Sequence, residues 1–129
     1  MAGFPLFIVI AGLFPGAVLP QSVIVKCELT YTADNSSVGF VIHKLDLGEW
    51  RAWDVEAGDW TYNWCKSGEV KCVITDEYYE FVVLPPNGDG YQRIYRRTGR
   101  FEIWNPRGLV IEGQCEPAPD PALTAPAPR

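Results

Sequence analysis

Chemistry in this chain would have to come from one histidine, a few carboxylates beside tryptophans, a run of arginines and four cysteines. His43 ends the apolar run VGFVIH. As a general base it would need an acid or a nucleophile held within hydrogen-bond reach. Asp46 is close in sequence, but no G-x-S-x-G or Cys/His arrangement accompanies the pair. The expectation is a structural histidine.

Asp54, Glu56 and Asp59 lie among Trp50, Trp53 and Trp60. Two carboxylates roughly 5 to 9.5 Å apart beside aromatic rings are the arrangement that cleaves glycosidic bonds. Three acids in a loop region also make an ordinary solvated face. The tryptophans Trp50, Trp53, Trp60 and Trp64 have two readings of their own: an aromatic surface for carbohydrate or peptide, or core packing, since a small barrel must fill its interior.

The third group is basic. Residues 91–104, YQRIYRRTGRFEIW, hold four of the seven arginines, and Arg107 follows. Arg93, Arg96, Arg97, Arg100 and Arg107 would suit a phosphate, an acidic polymer or an acidic partner protein. Against this stands internal pairing with the acid-rich segment 46–59. Tyr91, Tyr95 and Trp104 would add stacking for single-stranded nucleic acid. The net charge of −5 argues against nucleic acid, because a phosphate backbone rewards positive surfaces.

Four cysteines allow three pairings. Cys27 and Cys115 sit in the first and last patterned segments. Cys65 and Cys72 flank KSGEVK, where a turn at Gly68-Glu69 would set them opposite each other. The favoured pairing is therefore Cys27–Cys115 with Cys65–Cys72. The longer bridge would add stability on the order of 3–5 kcal/mol. Without a C-x-x-C pair and with a single histidine, no metal is expected. No cofactor is expected either.

The elements that must position these groups read as strands. Val23, Val25, Cys27, Leu29 and Tyr31 alternate within 22–31, and 38–43, 70–75, 78–84 and 109–115 are further strand candidates. Trp50 and Trp53, three apart, suggest a bulged strand or one helical turn over 49–55. Trp60, Tyr62 and Trp64 alternate cleanly. Segment 91–104 reads as a hairpin turning at Thr98-Gly99. A two-residue loop would pair Ile94 with Ile103 and Arg93 with Trp104, the latter as a cation–π contact. A three-residue loop with Gly99 in the left-handed region would shift that register. No stretch supports a long amphipathic helix. The fold class is all-β: a small antiparallel meander, disulfide-bonded, closed as a barrel or folded as a sandwich.

Three regions follow. Residues 1–20 read as an export signal, because FPLFIVIAGLF is apolar and Lys26 is the first charged residue. No Lys or Arg precedes that run and no A-x-A site follows it, so an uncleaved anchor and a buried first strand stay open. Residues 22–115 form the domain. Residues 116–129, rich in proline and alanine, read as a disordered tail.

The strings DEYY (76–79), RIYRRTGR (93–100) and EGQC (112–115) resemble a pattern in small exported bacterial proteins of unknown function. Those proteins have a Cys near the mature start, an Ile-x-Arg-x-Thr-Gly hairpin and a Gly-x-Cys ending. The resemblance covers residues 26–115 and implies an envelope or secreted setting. Cys65, Cys72 and the aromatic middle depart from it. In size, acidity and disulfide use the chain is also similar to secreted β-barrel inhibitors of lysozyme. Together these readings predict a periplasmic or secreted protein that acts by binding or as structure rather than by catalysis. Its partner would be an acidic protein or an envelope polymer, with membrane contact only through an uncleaved N-terminal segment. The alternatives are inhibition of a cell-wall hydrolase through loop 85–90 and, third, a small carbohydrate-active enzyme.

Overall fold

The computed structural model describes residues 18–86 and 88–124. Most of the segment read as an export signal, residues 1–17, therefore lies outside the described residues, as does the end of the tail, 125–129. Nine strands form the architecture: β1 Val23–Tyr31, β2 Ser37–Asp46, β3 Glu49–Asp54, β4 Asp59–Trp60, β5 Val70–Ile74, β6 Tyr78–Val83, β7 Tyr91–Tyr95, β8 Arg100–Asn105 and β9 Gly108–Pro117. A short helix, α1 Pro121–Thr124, ends the described chain.

All pairings are antiparallel, and the sheet order is β4-β3-β2-β1-β9-β8-β7-β6-β5. The first and last strands thus meet in the middle. Cys27 and Cys115 face each other there in register, and the disulfide between them closes a separation of 88 residues. Both cysteines are fully buried.

The sheet curls on itself. Strands β3 and β6 are separated in the order by β2, β1, β9, β8 and β7. Their rings still meet: Trp50 lies 4.8 Å from Phe81, centroid to centroid. His43 on β2 likewise lies 5.5 Å from Phe101 on β8. A twisted sheet brings its inner faces together in this way, giving a disulfide-bonded antiparallel half-barrel. Alternation supplies the core: Val25, Cys27 and Leu29 point inward from β1, with Ile94 and Phe101 cross-strand partners on β7 and β8.

The open side lies between β4 and β5, and the chain crosses it directly. A 3-10 turn, Trp64–Lys66, packs against both β3 and β5. Cys65 in this turn is joined to Cys72 on β5. The pairing is the expected one, but its route differs. Cys65 does not sit opposite Cys72 in a hairpin; Cys72 pairs in register with Phe81. The alternation of Trp60, Tyr62 and Trp64 does not become a long strand, because Asn63 breaks it. Asn63 Oδ1 accepts from Trp50 N at 3.0 Å and from Cys65 N at 3.1 Å, and its Nδ2 donates to the carbonyl of Gly48 at 2.8 Å. A buried amide replaces strand pairing where no neighbouring strand is present.

The arginine hairpin has neither expected register. Its turn spans residues 96–99, with Gly99 at φ 78° donating its N–H to the Tyr95 carbonyl. Arg93 therefore faces Glu102, and Ile94 faces Phe101. Relative to the two-residue loop this is a two-residue slip, so the faces survive and the partners change. At the far end, β9 runs on past Cys115, with Glu116 and Pro117 opposite Lys26 and Val25.

Candidate functional site

The histidine is part of the core. His43 is 3% exposed, and its Nδ1 accepts a hydrogen bond from Trp50 Nε1 at 3.1 Å. The proton of the neutral ring therefore sits on Nε2, which has no partner among the described residues. Burial pushes the pKa down to about 4, outweighing the contact with the Arg51 backbone that acts the other way. No hydrogen bond joins it to Asp46 among the described residues; that carboxylate accepts from Leu47 N.

The four tryptophans divide between two faces. Three residues apart on a regular strand means opposite sides, which removes the need for a bulge. Trp50 is 2% exposed and fills the core, so it is no part of an aromatic surface. Trp64 is half-buried and packs edge-on against Phe81 at 5.8 Å. Trp53 and Trp60 remain. They are cross-strand partners on β3 and β4, with centroids 5.2 Å apart and planes at 77°. Both are half-buried and lie on the outer face, where Lys44 Nζ approaches the Trp60 ring at 5.8 Å. Next to them Tyr62 is 60% exposed and Val55 74%.

The carboxylates around this ledge shape its turn. Asp54 Oδ1 accepts from the N–H groups of Glu56 and Ala57, and Asp59 Oδ1 accepts from Trp60 N. Asp54, Glu56 and Asp59 are all exposed. They rim the aromatic pair with acceptors for hydroxyl or ammonium groups. Among the described residues, no three His, Cys, Asp or Glu side chains are placed to hold a metal ion.

The five arginines do not form one patch. Arg93 Nε bonds Glu80 at 2.5 Å, and its guanidinium lies over the rings of Tyr78 and Tyr91, at 4.3 and 4.7 Å. Trp104 is not its partner; that ring stacks on Tyr91 with planes 12° apart. Arg96 donates to the carbonyls of Leu19 and Thr75. Arg100 reaches Glu102 at 2.7 Å and Glu112 at 2.8 Å. Glu102 and Glu112 are direct cross-strand neighbours, so one arginine neutralises two like charges. Burial opposes the ionisation of Glu102, but hydrogen bonds from Arg100 and Trp104 outweigh it and hold the carboxyl below its usual range. None of these ion-pair partners comes from segment 46–59. Arg97 and Arg107 are exposed, at opposite ends of β8. A six-residue strand keeps them roughly 20 Å apart.

Sequence reasoning missed Asn63 and Leu19. Asn63 had no signal beyond a polar residue inside an aromatic run. Leu19 is 2% exposed and belongs to the core. Compared with known proteins, the chain matches no family model, no curated protein and no solved structure.

Proposed function

We propose that this is an exported protein that acts by binding, without catalysis, and that its ligand is an envelope polysaccharide. The observation that carries this reading is the pair Trp53–Trp60. It is packed on the outer face of the sheet while the inner face is filled by Trp50, Tyr79, Phe81 and Phe101. Aromatic rings that do not serve the core, beside an exposed Tyr62 and rimmed by Asp54 and Asp59, offer apolar faces to sugar rings and acceptors to their hydroxyls. Two disulfides support an oxidising compartment. The resemblance to small exported proteins supports the same setting.

The test is co-sedimentation with insoluble wall polysaccharides. Wild-type protein should pellet with at least one of them, and the double variant Trp53→Ala/Trp60→Ala should stay in solution. An Arg97→Glu/Arg107→Glu variant should pellet like wild type. If the arginine variant loses binding and the tryptophan variant keeps it, the ligand is anionic and the site lies elsewhere.

One observation favours a second reading, inhibition of a cell-wall hydrolase. The loop between β6 and β7, closed by Val83 N donating to Gly90 O, presents Pro85, Pro86, Gly88 and Asp89 to solvent. An exposed loop is the kind of element that enters a target cleft. Loss of lysozyme inhibition on replacing residues 85–90 would favour it.

A further inference from the structure

Among the buried hydrophobic residues described, Leu19 alone comes from outside the strands. It is held from several sides. Its N–H donates to the Arg96 carbonyl at 2.7 Å, and its own carbonyl accepts from Arg96 Nε at 2.9 Å. The Tyr79 hydroxyl donates to the Pro20 carbonyl. Arg96 is itself fixed, its N–H bonded to Glu77 O at 2.8 Å and its Nη1 to Thr75 O at 2.5 Å. The dipeptide Leu19-Pro20 is thus bonded into the fold beside the β7–β8 turn, while Val18 just before it is 42% exposed.

This bears on where the chain is cut on export, and it rests on the export reading above. Removal of residues 1–20 as a unit would take Leu19 out of the core and strip Arg96 Nε and the Tyr79 hydroxyl of these acceptors. We propose that the apolar N-terminal segment is removed at the Ala17–Val18 bond, or at a bond within two residues upstream. The mature chain then begins at Val18, or no more than two residues before it, and keeps Leu19 as an anchor. Small residues suit the position before an export cleavage. Gly16 and Ala17 are small, and they directly precede the exposed residue that leads into the anchor. The step is hydrolysis. The peptide C–N bond breaks, the hydroxyl of water passes to the carbonyl of Ala17, and a proton passes to the new amino group of Val18.

The experiment uses the full chain with its own N-terminal segment, expressed in a secreting host and recovered from the periplasm or medium. Intact mass should place the N-terminus at Val18 or no more than two residues upstream. Leu19→Ala should melt roughly 10 °C below wild type, and the milder Leu19→Val only a few degrees below. An exported wild-type protein beginning at Pro20 or later would overturn the inference and leave export intact. So would unchanged melting of Leu19→Ala. A chain that keeps Met1 and stays inside the cell would overturn both the inference and the export reading.

Discussion

The indole of Trp50 donates to the imidazole of His43 across 3.1 Å, in the interior of the curled sheet. The two residues lie on paired strands β2 and β3 and make an edge-on contact at 5.7 Å. This bond ties the only histidine to the protein's most buried tryptophan, and it makes the core sensitive to acid.

The sign of that sensitivity follows from the depressed pKa. The folded His43 titrates at about 4 and the unfolded one at 6.5, so the unfolded chain binds the extra proton between them. Stability contributed by the neutral ring is complete above pH 6.5 and falls as pH drops towards 4. The loss totals about 3 kcal/mol. His43→Asn keeps an acceptor for Trp50 and does not titrate. Urea unfolding at pH 7 and at pH 4.5 should show a smaller difference for the variant than for wild type. Equal differences would contradict the buried neutral ring.

The two disulfides should differ in worth. The bridge Cys27–Cys115 spans 88 residues and Cys65–Cys72 spans 7. Chain-entropy scaling gives about 4–5 kcal/mol for the first and about 2–3 kcal/mol for the second. Paired alanine variants should shift the urea midpoint in that order.

Asn63 ties the 3-10 turn to β3 and to the turn before it. Asn63→Ala leaves Trp50 N, Cys65 N and Gly48 O without their partner. The expected cost is about 3 kcal/mol, read as a fall in Tm of roughly 10 °C. A near-neutral result would mean that water satisfies these groups and that the 3-10 turn contributes little to closure.

Arg100 is a structural arginine and Arg107 is not. Its side chain is 41% exposed, so solvent screening limits the loss in Arg100→Met to about 1 kcal/mol. The deficit should shrink in high salt, as repulsion between Glu102 and Glu112 is screened. Arg107→Met should change stability by less than about 0.5 kcal/mol.

Much of the fold was legible because alternation is local. Val25, Cys27 and Leu29 announced an inward face, and the favoured cysteine pairing is the one found, although the hairpin that suggested Cys65–Cys72 is not. Register was not legible, because it depends on the length of a turn. Gly99 marked the turn correctly, yet a loop over 96–99 moved Arg93 from Trp104 to Glu102. For the same reason the acids that pair with the hairpin arginines, Glu80, Glu102 and Glu112, could not be identified beforehand. The tryptophan pair was half legible. The spacing of Trp50 and Trp53 pointed to an irregular strand, whereas it separates a core residue from a surface one. Leu19 was hidden inside an apolar run whose composition suits export as well as burial.

The inner face of the sheet is filled by the core, and the proposed ligand site lies on the outer face at Trp53 and Trp60. The most direct measurement follows the indole N–H resonances of the five tryptophans while soluble fragments of wall polysaccharide are added. That placement predicts that the signals of Trp53 and Trp60 move and that Trp50, bonded to His43, stays fixed. Movement of Trp50 with Trp53 and Trp60 unchanged would contradict it.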